Sequence, residues 1–136
     1  MNKDALIAVA MKAATLGYTP YSHFPVGAAI IMKDGKVIQG ANIENSSYGL
    51  TVCAERNALF RAYLEGYRKD DIVALAVFGH TEDPISPCGA CRQVMAELVP
   101  PSTPVYLANR HGDSITMTVK ELLPYAFDGA VLPEKK

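Results

Sequence analysis

The residues of this chain best able to do chemistry are three cysteines and one glutamate. They occur as Cys53-Ala54-Glu55 and as Pro87-Cys88-Gly89-Ala90-Cys91. Both motifs fall where a helical pattern begins, and a helix entrance presents unpaired amides and a positive dipole end that favour a thiolate over a thiol. Thiolates are zinc ligands. Two intervening residues let Cys88 and Cys91 share one tetrahedral ion, and Cys53 becomes a third ligand if the two helices lie side by side. Three protein ligands leave a fourth position for water, the arrangement of a catalytic rather than a structural zinc site. Zinc lowers the pKa of such a water to about 7, and Glu55, two residues past a ligand, is placed to accept and return its proton. Three thiolates on a dication leave net negative charge, which weakens the ion as a Lewis acid. Arg56, and next Arg92, stand beside ligands and are the candidates to donate hydrogen bonds to sulfur.

The elements that must hold these residues read as follows. Residues 4–17 form an amphipathic helix with Leu6, Val9, Ala13 and Leu16 on one face and Gly17 as its left-handed cap. Val26–Met32 and Lys36–Ala41 are strands joined by the Asp34-Gly35 turn, a strong hairpin signal. A helix from Cys53 to Glu65, with Ala54, Ala58, Leu59 and Ala62 at helical spacing, stops at Gly66. Ile72–Phe78 is a continuous apolar run, expected of a central strand covered on both faces. A third helix runs from Cys88 to Leu98, with Pro87 at its entrance, until Pro100 and Pro101. Val105–Ala108 and Ser114–Thr118 are two further strands, followed by a short helix over 119–123 that Pro124 ends. After the first helix the order ββαβαββα predicts an α/β sandwich, and no linker, repeat or low-complexity tract divides residues 1–136. A single domain is expected.

Composition narrows the partners. The chain has 136 residues, 49% of them hydrophobic, enough for a core without covalent staples. Lys and Arg total 13 against 14 Asp and Glu, so no positive field exists to gather nucleic acid or anionic lipid. No segment approaches the ~18 apolar residues of a membrane span. Three cysteines are too few and too odd in number for a disulfide scaffold, and reduced thiols in the cytoplasm are the expectation.

Read from the residues alone, two other functions compete. Cys88 and Cys91 have the spacing of a redox pair, which leaves Cys53 and Glu55 without a role. A structural zinc module results if His23, His80 or His111 closes the shell. His80, at the end of the central strand, is the one to watch.

H-x-E followed by P-C-x-x-C is the known signature of the zinc-dependent deaminases, so the match here is recognition of a pattern. Cysteine stands in place of the histidine, and in this the chain resembles the small tetrameric cytidine deaminases. The likeness extends to Phe24-Pro25-Val26-Gly27-Ala28-Ala29, Gly40-Ala41-Asn42-Ile43-Glu44-Asn45, Cys53-Ala54-Glu55-Arg56 and Leu122-Leu123-Pro124, in order and over nearly the whole chain. The resemblance implies a three-layer α/β/α sandwich around a five-stranded mixed sheet. It also implies one zinc per chain and a homotetramer with shared active sites. The implied reaction is hydrolytic deamination of cytidine and 2′-deoxycytidine in pyrimidine salvage. In this likeness Asn42 and Glu44 hold the ribose hydroxyls, Phe24 packs beside the pyrimidine, Ala54 belongs to the substrate-binding set, and Phe127 reaches the site of a neighbouring subunit. Tyr48 lies between the sugar motif and Cys53, where lining the pocket and plain packing are both open. A related deaminase acting on a nucleoside-like antibiotic remains a third alternative; the sugar positions Asn42 and Glu44 favour a nucleoside.

Overall fold

The computed structural model describes residues 1–129 and Leu132. Its elements are α1 (Lys3–Ala14), β1 (Val26–Met32), β2 (Val37–Ala41), α2 (Ala54–Leu64), β3 (Ile72–Gly79), α3 (Gly89–Leu98), β4 (Pro104–Ala108), β5 (Ser114–Thr118) and α4 (Val119–Leu122), with short 3-10 turns at Tyr48–Leu50 and Lys69–Asp71. The strands form one sheet in the order β2-β1-β3-β4-β5. β3 and β4 are parallel and the other neighbours antiparallel, so the sheet is mixed and β3 is central, as its apolar run predicts.

Alternation along the strands divides the core into two layers. Ala28, Ile30, Met32, Leu75, Val77, Val105 and Leu107 pack with α2, α3 and α4 on one face. Ala29, Ile31, Ala74, Ala76, Phe78 and Ala108 pack with α1 on the other. This is the expected three-layer α/β/α sandwich around a five-stranded sheet.

Two glycines set how close the helices come. A Cβ on Gly27 would lie 1.8 Å from the Ala10 carbonyl oxygen of α1, and one on Gly40 would lie 2.4 Å from the Ala54 carbonyl oxygen of α2. Each strand therefore touches its helix backbone to backbone. The second contact matters for chemistry, because Ala54 separates Cys53 from Glu55.

The first helix departs from expectation. It starts after Asn2, whose side chain accepts from Ala5 N–H at 2.8 Å, and it ends at Ala14 rather than 17. Thr15 closes the last turn, its hydroxyl donating to the Lys12 carbonyl at 2.7 Å. Gly17 is not in the left-handed region and caps nothing. Its small size serves a different contact, since a Cβ there would come within 3.0 Å of the Asn42 carbonyl oxygen. Leu16, beyond the helix, is exposed, and the buried face is Leu6, Ala10, Ala13 and Ala14. The Asp34-Gly35 turn and the Gly66 stop are as expected, both glycines having positive φ.

Candidate active site

Cys53 and Cys88 are the N-cap residues of α2 and α3, one position earlier than the first helical residue in each case. Pro87 accordingly precedes the α3 cap instead of occupying the first turn. Neither sulfur accepts a capping hydrogen bond from its own helix. Cys91 sits on the first turn of α3, fully buried. The two entrances lie on the same face of the sheet, so the three sulfurs converge, all within 4.8 Å of one another. Cys53 Sγ and Cys88 Sγ are 3.7 Å apart. Zinc–sulfur bonds of about 2.3 Å at tetrahedral angles place two sulfurs roughly 3.8 Å apart, so the donor set fits a zinc ion in both chemistry and spacing.

The site favours a sulfur anion through its own groups. A hydrogen bond with Cys91, helped by the guanidinium of Arg56, brings the Cys53 thiol down to about 5. Bonding to Cys53 and burial push the Cys91 thiol up. Arg56 Nη2 donates to Cys53 Sγ at 3.5 Å and to the Thr51 carbonyl at 3.5 Å. Arg92 does not share this task. Its Nε donates to the Pro87 carbonyl at 2.8 Å, its Nη1 to the Leu122 carbonyl at 2.8 Å and its Nη2 to the Ser86 hydroxyl, which fastens the loop before Cys88 to the end of α4.

Glu55 lies on the first turn of α2 and is only 4% exposed, a depth at which a carboxylate needs a functional or electrostatic reason. Burial pushes its carboxyl up to about 7, and the charge on Cys53 adds to the rise. A carboxyl in that range both takes and gives a proton near neutrality. Ala54, between the two, is wholly buried against Gly40.

None of the three histidines supplies a ligand atom: among the described residues the metal-binding cluster comprises the three cysteines alone. His80 stacks edge-on against Phe78, with ring centroids 5.3 Å apart. His111 faces Glu82, Nε2 to Oε2 at 2.9 Å.

The expected sugar residues form the adjoining wall. Ile43 bridges Tyr18 on one side and Val52 on the other, so residues 42–44 are bonded directly to the residue before Cys53. Asn42 is buried; its Nδ2 donates to the Phe24 carbonyl at 2.9 Å and its Oδ1 accepts from Val26 N–H at 3.0 Å. Glu44 Oε1 accepts from the N–H groups of Tyr21 and Ser22, each at 3.1 Å, and Oε2 accepts from the Ser22 hydroxyl. The Ser22 hydroxyl above all, with those amides, holds the Glu44 carboxyl below the usual carboxylate range. A cavity of about 380 Å³ opens here, lined by Tyr21, Ser22, Glu44, Tyr48 and Thr51. Tyr48, left open by the sequence, thus lines the cavity and meets Tyr21 edge-on at 6.0 Å. Phe24 is 40% exposed beside it. Among the described residues Phe127 joins none of the site's groups; its ring is exposed and its carbonyl accepts from Gln93 Nε2 at 2.7 Å.

Sequence reasoning missed what Gly40 and Arg92 do here and passed over Ser22. Gly40 and Arg92 act through contacts to residues 14 and 30 positions away, and spacing does not reveal such contacts. Ser22 left one local trace. Its hydroxyl accepts from Phe24 N–H at 3.0 Å, a serine turn within the Pro20 to Pro25 loop.

An α/β/α sandwich with three convergent cysteine sulfurs at two helix entrances and a buried carboxyl on the first turn of one of them defines a zinc-dependent deaminase architecture. Residues 1–107 match the family model described as the cytidine and deoxycytidylate deaminase zinc-binding region. The chain is 61% identical over 127 residues to a cytidine deaminase of Halalkalibacterium halodurans, covering 93% of this chain and 95% of that one. It is 54% identical to one from Sporosarcina psychrophila, covering 93% and 92%. The crystal structure of a cytidine deaminase from Burkholderia pseudomallei is similar with a TM-score of 0.92 at 53% identity, covering 93% of this chain and 100% of that one. The chain belongs to the cytidine and deoxycytidylate deaminase family.

Proposed function

We propose that this chain catalyses the hydrolytic deamination of cytidine and 2′-deoxycytidine to uridine and 2′-deoxyuridine, releasing ammonia, as pyrimidine salvage requires. The observation that carries this reading is the convergence of the Cys53, Cys88 and Cys91 sulfurs within 4.8 Å at two helix entrances, with Glu55 buried on the first turn of one of them. Relatives named cytidine deaminases at 61% and 54% identity support the substrate.

Cys53, Cys88 and Cys91 would hold one zinc, and Arg56 offsets the charge of three sulfurs by its bond to Cys53. When bound, zinc supplies the Lewis acidity that makes water nucleophilic at neutral pH. Glu55 takes a proton from the attacking water and delivers it to pyrimidine N3, which makes C4 electrophilic as the new C4–O bond forms. Glu55 then moves the proton of the new C4 hydroxyl to the exocyclic nitrogen, the C4–N bond breaks as the carbonyl forms, and ammonia leaves. The burial of its carboxyl, which favours the protonated form, suits both transfers. Asn42 and Glu44 hold the sugar, Phe24 flanks the base, and Ala54, buried against Gly40, sets Cys53 and Glu55 on the helix entrance that the base approaches.

We assign the whole chain to one catalytic domain and to a homotetramer in which Phe127 of one subunit completes a neighbour's site. Exposed Tyr21, Phe24, Tyr48 and Leu50 around the cavity support a surface that another subunit covers. No helix among the described residues is long and apolar enough to cross a membrane. Three free cysteines, needed reduced, support a cytoplasmic setting.

Loss of cytidine absorbance, followed in the ultraviolet with zinc content measured alongside, tests the reading. Wild type converts both nucleosides. Glu55→Gln keeps its zinc and loses activity by about 1,000-fold, because an amide shuttles no proton. Full activity in Glu55→Gln, or no turnover in zinc-loaded wild type, overturns it.

A further inference from the structure

We infer that Ser22 is a positioning residue for the sugar end of the site, acting through Glu44. The inference rests on the proposed reading of Glu44 as a ribose contact. Ser22 donates its one hydroxyl proton to Glu44 Oε2, while its own oxygen accepts from Phe24 N–H at 3.0 Å. Its backbone N–H and that of Tyr21 both bind Oε1 at 3.1 Å. A carboxylate has about four acceptor sites, and three are filled, one on Oε2 remaining for a sugar hydroxyl. Two of the three donors are backbone groups that a side-chain change leaves in place. The Ser22 hydroxyl alone fixes the rotation of Oε2 and hence the direction of the remaining site.

The same hydroxyl also links two parts of the wall. Through Phe24 N–H it ties the aromatic expected beside the base to the carboxylate expected on the sugar, and Asn42 ties the Phe24 carbonyl from the other side. Loop 20–25 is exposed and carries a non-glycine residue with positive φ, His23 at 54°, so these side-chain bonds, more than packing, hold its shape. Losing the hydroxyl leaves Glu44 charged and held at Oε1 by the two amides, with Oε2 free to swing. Binding of the sugar weakens, and the chemistry at C4, which belongs to Glu55 and the metal site, does not.

The test is a double-mutant cycle on zinc-loaded enzyme, reading kcat and KM for cytidine and for 2′,3′-dideoxycytidine. Ser22→Ala raises KM for cytidine about tenfold, the usual worth of a charge-assisted hydrogen bond, with kcat within twofold of wild type. Ser22→Thr, which keeps the hydroxyl, restores most of the loss. On a Glu44→Ala background Ser22→Ala has no further effect on KM, because the group it orients is gone. An equal KM rise on both backgrounds, or a fall in kcat with KM unchanged, overturns the role of Ser22. Glu44→Ala weakening dideoxycytidine as much as cytidine overturns instead the reading of Glu44 as a sugar contact, and Ser22 falls with it.

Discussion

The two halves of the site are built differently. At the metal end every functional group stands on a helix entrance: Cys91, Ala54 and Glu55 are buried, Cys53 is half-buried and Cys88 exposed, and α2 meets β2 backbone to backbone at Gly40. At the proposed sugar end the groups stand on loops, Phe24, Tyr21 and Tyr48 are exposed, and side-chain hydrogen bonds from Asn42 and Glu44 hold the wall together. Moving a proton and activating water require groups fixed to a fraction of an ångström in a dry place, which a packed helix end provides. Admitting and releasing a nucleoside requires a wall that opens, and a hydrogen-bonded loop opens at far lower cost than a core. Substitutions at the first end should therefore act on kcat and on metal content, and those at the second on KM.

The largest effect is expected from Cys91→Ala. It removes a fully buried ligand, so zinc content falls to a small fraction of one per chain and activity drops by about 1,000-fold or more. Metal analysis beside a cytidine assay checks this; retained zinc with retained activity breaks the distinction between the two ends. Gly40→Ala comes next. A Cβ 2.4 Å from the Ala54 carbonyl oxygen forces α2 outward, which costs roughly 3 kcal/mol and lowers the melting temperature by on the order of 10 °C. Because Ala54 lies between Cys53 and Glu55, kcat falls with it; a stable variant whose kcat is normal shows that the helix entrance tolerates displacement. Phe24→Ala should do least. It raises KM roughly tenfold, the worth of one aromatic contact, and leaves kcat, zinc content and melting temperature near wild type. Steady-state kinetics with thermal unfolding decide the point, and a loss of zinc would place the loop inside the metal end.

The contrast also explains what the sequence disclosed. Helix entrances are local features, so the placement of Cys53, Cys88 and Glu55 at two of them followed from Gly66, Pro87 and the helical spacing of Ala58 and Ala62, while their convergence was expected only through the signature. The β1–β2 hairpin and the central strand were legible for the same reason, one from Asp34-Gly35 and the other from an unbroken apolar run. Long-range contacts were not. Gly27 and Gly40 read as members of family motifs, although what they do is let a strand touch a helix backbone. Gly17 looked like a helix cap because its partner, Asn42, lies 25 positions on. Arg92 looked like a sulfur donor because it neighbours Cys91, yet its three bonds go to carbonyls and a hydroxyl that spacing does not connect to it. The sugar wall, built from pairings between residues 18–26 and 42–52, was legible only by resemblance.

The central claim is a zinc ion held by three sulfurs with one position left for a small oxygen ligand beside Glu55. Zinc-edge X-ray absorption on freshly purified, reduced protein measures it directly. Three sulfur neighbours at about 2.3 Å with one oxygen at about 2.0 Å are predicted. A fourth sulfur, an imidazole in the shell, or protein without zinc would contradict it.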